Sequence, residues 1–321
     1  MRYQKLLRNL LLAAIGLLLV LLLAQRQAGS QLVAPTTWQW ISCDVGQGDA
    51  HLIRTGPESA YLLDTGNNYS ALTECLSWAG VRELDAIVLT HAHSDHDGAV
   101  QHISQRFPSA PVMTSAHYDG QLMGALQLSR DGNHRRIGGT EEQSSQQQGH
   151  SGPGHSGSPH GYPESAGKES NTHGTVLWPP AEPQQVPGKT GSSSRINNTS
   201  LVIYWTVKPR GPGQRSLTVL STGDLEADAA HRLLSLSAGD LEANVLKIAH
   251  HGSASSGTDL ITATQPVLTL IPVGRDNPHG HPHHEITDYL AERQLTALRT
   301  DTHGHIAVTS GHQGLTVATS R

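Results

Sequence analysis

The chain has 321 residues, 22 lysines and arginines against 27 aspartates and glutamates, 36% apolar residues and a formal net charge of −5. A chain of this length can bury roughly 75% of its unfolded surface, so a wholly disordered protein is excluded. The charge excludes a generally basic protein that coats nucleic acid through many phosphate contacts. Histidine stands out at 21 residues, and a side chain that ligates metals and titrates near neutrality raises the question of a metal centre.

Arg2, Lys5 and Arg8 precede an uncharged run from Leu10 to Ala24. A basic start followed by an apolar stretch is expected to be a signal peptide or membrane anchor over residues 1–25. Positive-inside orientation then exports everything after Gln25, to the periplasmic side. The run is short of the roughly 20 residues that span a bilayer unless Leu6 and Leu7 extend it. Its cleavage site is poorly formed, so anchored and secreted forms both stay open. Residues 26–37 read as a linker. Cys43 and Cys75 could pair in an oxidising compartment, but two cysteines make neither a framework nor a metal motif.

Leu84 to Thr90 is a short β-branched run that reads as a buried strand. His91-Ala92-His93-Ser94-Asp95-His96-Asp97-Gly98 follows it directly, and Ala99 to Phe107 has helical spacing. The cluster therefore sits on a strand-to-helix turn, where open α/β folds place ligands. At this spacing His91 and His93 can turn toward one metal while Asp95 and His96 turn toward a second, and such nitrogen and oxygen donors suit Zn²⁺, Mn²⁺ or Fe. Asp97 either orients a neighbour or caps the following helix, and the cap is the expected role.

From Gly138 to Asn171 the chain is rich in Gly, Ser, Gln and His with almost no β-branched or aromatic residues, so it cannot bury enough surface to order itself. His150, His155 and His160 fall inside it, most simply as part of a solvated loop. A second loose stretch, 179–195, flanks a strand candidate at Thr175 to Trp178. Both read as insertions within one domain, 38–321.

Ser216 to Ser221 reads as a strand ending in Thr222-Gly223-Asp224, where a carboxylate can bridge two metals. Asp240 repeats the local sequence but follows a helix expected over Glu226 to Ser237, so Asp224 is the stronger candidate. The strand Asn244 to Ala249 delivers His250-His251-Gly252-Ser253, with His251 assigned to metal and His250 to substrate. Lys208, Arg210 and Arg215 lie in the turn between strands at Leu201 to Thr206 and Ser216 to Ser221. They can grip a nucleic-acid backbone from the site's rim or simply solubilise a hairpin tip.

The segments Cys43-Asp44-Val45-Gly46-Gln47-Gly48-Asp49-Ala50, Leu62 to Gly66, Thr90 to Ala99, Asn197 to Ile203, Ser221 to Glu226, Ala249 to Ser253, Gly280 to His283 and Arg299 to Gly304 together resemble the metallo-β-lactamase superfamily. Within it the chain is similar to the hydrolase domain of ComEC-like competence proteins, over about Trp38 to Thr319 without the insertion. The resemblance implies an α/β fold, an αββα sandwich, preceded by one N-terminal hydrophobic helix. It implies two divalent metal ions, Zn or Mn, held by His91, His93, Asp95, His96, Asp224 and His251, and hydrolysis of an ester by a metal-held hydroxide. Asp64 would orient a ligand histidine, Asp44, Gln47 and Asp49 would shape the site floor, and Asp95, His250 and His281 would act on substrate. Many superfamily members carry a further metal-binding histidine where this chain has Asn197-Asn198, as ComEC-like sequences do. The multi-helix channel of competence proteins has no counterpart in these residues, so a role as the channel itself is not expected of them.

The expected activity is an exported phosphodiesterase or nuclease acting on DNA, short or single-stranded because stacking aromatics are scarce. A small-ester hydrolase of the same fold, such as a phosphorylcholine-type phosphodiesterase or a lactonase, and a nonenzymatic periplasmic metal-binding protein are the competing expectations. Membrane contact would run through an uncleaved N-terminal helix.

Overall fold

The computed structural model describes residues 33–120, 122, 124–131, 136–138, 172–237 and 241–321. The expected anchor over 1–25, most of the linker and of the insertion with His150, His155 and His160, and Asp240 lie outside the described residues. Among the described residues no helix is long and apolar enough to cross a membrane.

Two sheets form the middle of the fold. The first contains β1 (Trp40–Ser42), β2 (His51–Arg54), β3 (Ser59–Leu63), β4 (Glu83–Leu89), β5 (Val112–Ser115), β6 (Leu126–Leu128), β14 (Ile306–Gly311) and β15 (Gly314–Thr319), in the order β15-β14-β1-β2-β3-β4-β5-β6. The second contains β7 (Arg136–Ile137), β8 (Thr172–Trp178), β9 (Val202–Val207), β10 (Leu217–Ser221), β11 (Val245–Lys247), β12 (Leu268–Ile271) and β13 (Thr296–Arg299), ordered β13-β12-β11-β10-β9-β8-β7. The helices are α1 (Tyr69–Ala79), α2 (Ser94–Asp97), α3 (Val100–Arg106), α4 (Ser193–Asn197), α5 (Ala227–Leu236), α6 (Asp259–Thr264), α7 (His284–Glu292) and α8 (Thr300–His303).

The layering follows from period-two alternation in strands that are apolar on both faces. In β9, Ile203 and Trp205 join a core shared with Trp40, Ile53, Leu63 and Val88 of the first sheet, whereas Val202 packs with Leu233 of α5 and Ile286 of α7. In β2, Ile53 faces that central core and Leu52 faces α1, through Leu72 and Leu76. The result is helix, sheet, sheet, helix.

Helix α1 starts where the Asn68 side chain accepts from Ala71 N and ends at Gly80, whose φ of 71° suits glycine. Cys75 on its buried face is joined to Cys43 after β1, with Cα atoms 5.6 Å apart. Closing a loop of this length contributes about 3–4 kcal/mol in the chain-entropy picture.

Strands β3 to β6 are parallel, as are β10 to β13. Their carboxyl ends bring the turns after β4, β10, β11 and β12 to one edge, where Leu201 N donates to Thr90 O across the sheets at 3.1 Å. Strand β11 ends at Lys247, shorter than the strand expected to Ala249, and His250-His251 occupy a 3-10 turn with both φ values near +50°. The stretch 179–195 includes a 3-10 turn at Pro183–Gln185 and the start of α4.

Antiparallel pairing of β9 and β10 joins Leu217 to Val207 and Ser221 to Ile203. Asp224 follows Ser221, so the basic turn with Lys208, Arg210 and Arg215 lies at the opposite end of these strands. Arg210 donates to Thr55 O, and Arg215 is 3.4 Å from His312 Nδ1. Of the two roles open to this turn, the hairpin favours the solubilising one, because it reverses the chain away from the site.

Candidate metal centre

Asp95, His96, Asp224 and His251 bring one donor atom each within 4.8 Å of one another. His96 Nε2 lies 3.1 Å from Asp224 Oδ1, and His251 Nε2 lies 3.3 Å from Asp95 Oδ2 and 3.6 Å from Asp224 Oδ2. His96, Asp224 and His251 are buried, yet His96 Nε2, His251 Nε2 and Asp224 Oδ1 have no hydrogen-bond partner. Buried polar atoms without partners are costly. A convergent set of imidazole nitrogens and carboxylate oxygens in that condition fits a divalent cation.

The surroundings fix which nitrogen faces the centre. His96 donates from Nδ1 to Asp64 Oδ2 at 2.8 Å, and His251 donates from Nδ1 to Pro272 O at 2.9 Å. His91 Nδ1 lies 3.1 Å from Thr90 Oγ1 and 3.2 Å from Ser200 Oγ. Each Nδ1 is thus engaged, which leaves Nε2 of His96 and of His251 without a partner, while His91 Nε2 meets His93 Nδ1. Asp64 is itself held by Thr90, whose N donates to Oδ1 and whose Oγ1 donates to Oδ2.

His91 and His93 lie beside this group. His91 Nε2 and His93 Nδ1 are 3.1 Å apart, and His91 Nε2 is 3.9 Å from Asp224 Oδ2. His93 Nε2 reaches Ser193 Oγ of α4 at 3.4 Å. Asn197 and Asn198 contribute no ligand here. Asn197 Nδ2 donates to Glu226 Oε1 and Asn198 Oδ1 accepts from Glu226 N, so the pair braces the loop that carries Asp224.

Electrostatics agree with a cation site. Burial opposes a charge on His251, but Asp224 and Asp49 raise it to about 9, and burial of His96 is likewise outweighed by Asp224, Asp64 and Asp49. Burial also opposes ionisation of Asp224, yet His96, His251 and Lys247 hold it well below the usual carboxylate range. His91 is kept neutral by burial and by the adjacent His96. The carboxylates draw positive charge to the position a metal would take.

His250 Nε2 lies 3.7 Å from Asp224 Oδ2, with Nδ1 3.1 Å from Ser255 Oγ. The His281 ring is 5.5 Å from that of His250 and 6.2 Å from that of His251, and its buried Nδ1 has no partner. Burial and the neighbouring histidines lower His281 to about 4. The His281 loop is closed by Asn277, which accepts from His281 N and donates to His281 O, and Gln47 Oε1 accepts from Gly274 N.

Two expected roles change. Asp44 turns away from the cluster: its carboxylate pairs with Arg321 and its N donates to His305 Nδ1, so it lines a neighbouring cavity of about 400 Å³ with Gln47, Arg275 and Asn277. Asp97 caps no helix, because the Tyr118 hydroxyl donates to Asp97 Oδ2 at 2.6 Å and α3 begins after Ala99 without a side-chain cap. Asp49 stays at the centre, 3.3 Å from His251 Nδ1 and paired with Lys247. Its position depends on Gly48, where a Cβ would stand 2.1 Å from Asp95 O. Lys247 was not expected at the site; its signal is a single lysine in the otherwise apolar run Val245 to Ala249.

An αββα sandwich with an aspartate and histidine cluster at the strand ends defines a candidate metal-dependent hydrolase. The family model of the metallo-beta-lactamase superfamily matches residues 43–194, and over this stretch the chain is similar to that superfamily. It is 26% identical over 289 residues to ComE operon protein 3 of Bacillus subtilis (strain 168), covering 82% of this chain and 32% of that protein. It is 26% identical over 286 residues to competence protein ComA of Neisseria gonorrhoeae, covering 88% and 33%. The chain thus spans about a third of the length of these relatives. Among solved structures, a CmlA beta-hydroxylase mutant superposes with a TM-score of 0.44 at 10% identity, covering 86% of this chain and 55% of that one.

Proposed function

We propose that the protein is an extracytoplasmic, metal-dependent phosphodiesterase that cleaves DNA, with short or single-stranded DNA as substrate. The observation that carries this reading is the set of buried, partnerless donors His96 Nε2, His251 Nε2 and Asp224 Oδ1, which opens toward solvent past the half-buried His93, Asp95 and His250. The choice of DNA is supported by the name of one relative, competence protein ComA.

Asp95, His96, Asp224 and His251 would hold one divalent ion, Zn or Mn, and His91, His93 and Asp224 a second. Bound metals would lower the pKa of a water and offset charge on phosphoryl oxygens. Asp64, Ser200 and the Pro272 carbonyl keep the ligand imidazoles oriented. His250 and His281 stand side by side at the mouth, both pushed toward the neutral form by burial. Each can present an N–H to a phosphoryl or leaving oxygen, a contribution of about 10²–10⁴ in rate for a positioned proton donor.

The test is turnover by the purified chain, stripped and reloaded separately with Zn²⁺ and Mn²⁺, on labelled single-stranded DNA and on bis(p-nitrophenyl) phosphate. Asp224→Asn is the control. Cleavage of both substrates that disappears in the variant is the expected result. Hydrolysis of the small ester alone would replace the DNA assignment with the small-ester one.

A further inference from the structure

We propose that Lys247 is a positioning residue of the metal centre, a buried cation that holds the turn carrying Asp224 through the Gly223 carbonyl and pairs with Asp49 behind it. This rests on the reading of the cluster as a metal centre. In β11, Val245 packs between the sheets and Leu246 against the outer helices, and Lys247 follows with only 1% exposure. A lysine is almost never buried to this degree without ionic partners. Its Nζ lies against Asp49 Oδ2, donates to Gly223 O at 2.6 Å and stands 3.7 Å from Asp224 Oδ1.

The two oxygens of Asp224 therefore face different neighbours. Oδ1 lies between Lys247 and His96 Nε2. Oδ2 is 3.6 Å from His251 Nε2, 3.7 Å from His250 Nε2 and 3.9 Å from His91 Nε2. An aspartate free to rotate would not keep this division. Asp49, Asp64, Asp95 and Asp224 crowd the same space, and one fixed ammonium offsets part of their charge without blocking Oδ2. A fixed positive charge also repels dications nearby. Lys247 therefore trades metal affinity for a correctly placed Asp224 turn.

Lys247→Met keeps the stem and removes the charge. The experiment measures metal affinity by competition with a chromophoric chelator, alongside kcat, KM and circular dichroism. The expected result is metal binding at least tenfold tighter than wild type, kcat at least 100-fold lower and KM within threefold. Unchanged or weaker metal binding by the folded variant would overturn the proposal. Lys247→Met combined with Asp49→Asn removes both charges of the buried pair and is expected to return metal affinity to within threefold of wild type while kcat stays low; affinity as tight as in the single variant would count against it. A crystal structure of metal-bound wild type decides the matter should the variants not fold: the ammonium remains on Asp49 and the Gly223 carbonyl, or a metal in its place overturns the proposal. Failure of wild type to take up metal would remove the metal-centre reading itself, and this proposal with it.

Discussion

His96 donates from Nδ1 to Asp64 Oδ2 over 2.8 Å, and this bond leaves His96 Nε2 3.1 Å from Asp224 Oδ1. Asp64 meets the Asp95, His96, Asp224 and His251 group through that ring, and its own oxygens are held by the Thr90 amide and hydroxyl. A carboxylate in this role sets the tautomer and the aim of a ligand. Asp64→Asn is expected to weaken metal binding about 10–100-fold while the fold persists. Competition titration with a chelator checks the affinity. Thermal melts with and without metal should show a smaller metal-induced rise in Tm for the variant than for wild type.

Gly48 has φ +134° and packs so closely that a Cβ would meet Asp95 O at 2.1 Å. The same contact lets Asp49 N donate to Asp95 O at 3.0 Å. Gly48→Ala is expected to cost about 2–4 kcal/mol through backbone strain and overpacking. Urea unfolding measures the cost, and metal affinity should fall with it because Asp95 must move. A variant as stable as wild type would contradict this account of the turn.

His305 accepts from Asp44 N at Nδ1, and burial lowers it to about 4 from an ordinary value of 6.5. The unfolded chain then binds a proton at higher pH than the folded chain does. Its contribution is fully present above pH 6.5 and is lost as pH falls toward 4, by about 3 kcal/mol at most. His305→Gln is expected to flatten the fall in stability between pH 6.5 and 4. Denaturant melts across that range test the sign; a variant with an undiminished pH slope would refute it.

The β9–β10 hairpin places Lys208 at the end of the strands remote from Asp224. Lys208→Ala is accordingly expected to leave cleavage of single-stranded DNA within about twofold of wild type, with the salt dependence of substrate affinity unchanged. A tenfold rise in KM would put this turn back on the substrate path.

The centre was legible in the sequence wherever its chemistry is local. His91, His93, Asp95 and His96 fall within six residues after one apolar strand, so the turn that carries them gathers them whatever the rest of the chain does. Asp224 and His251 were legible for a related reason, since each follows a β-branched run and strand ends collect at one edge of a parallel sheet. The Asn197-Asn198 pair was legible only as a missing ligand, and its hydrogen bonds to Glu226 became visible once α4 was set against the Asp224 loop.

By itself the sequence pointed to the sandwich, through the resemblance its motifs carry, and to the close-range candidate ligands, through their spacing. Tertiary structure decided the rest. The direction of Asp44 depends on Arg321 at the far end of the chain, and no local pattern encodes a pairing over that separation. The site role of Lys247 depends on β11 being covered on both sides and on Asp49 and Asp224 arriving from two different sheets. Burial turns a lysine from a solvated charge into a fixed ion pair, and burial is a property of packing, settled only when the sheets meet.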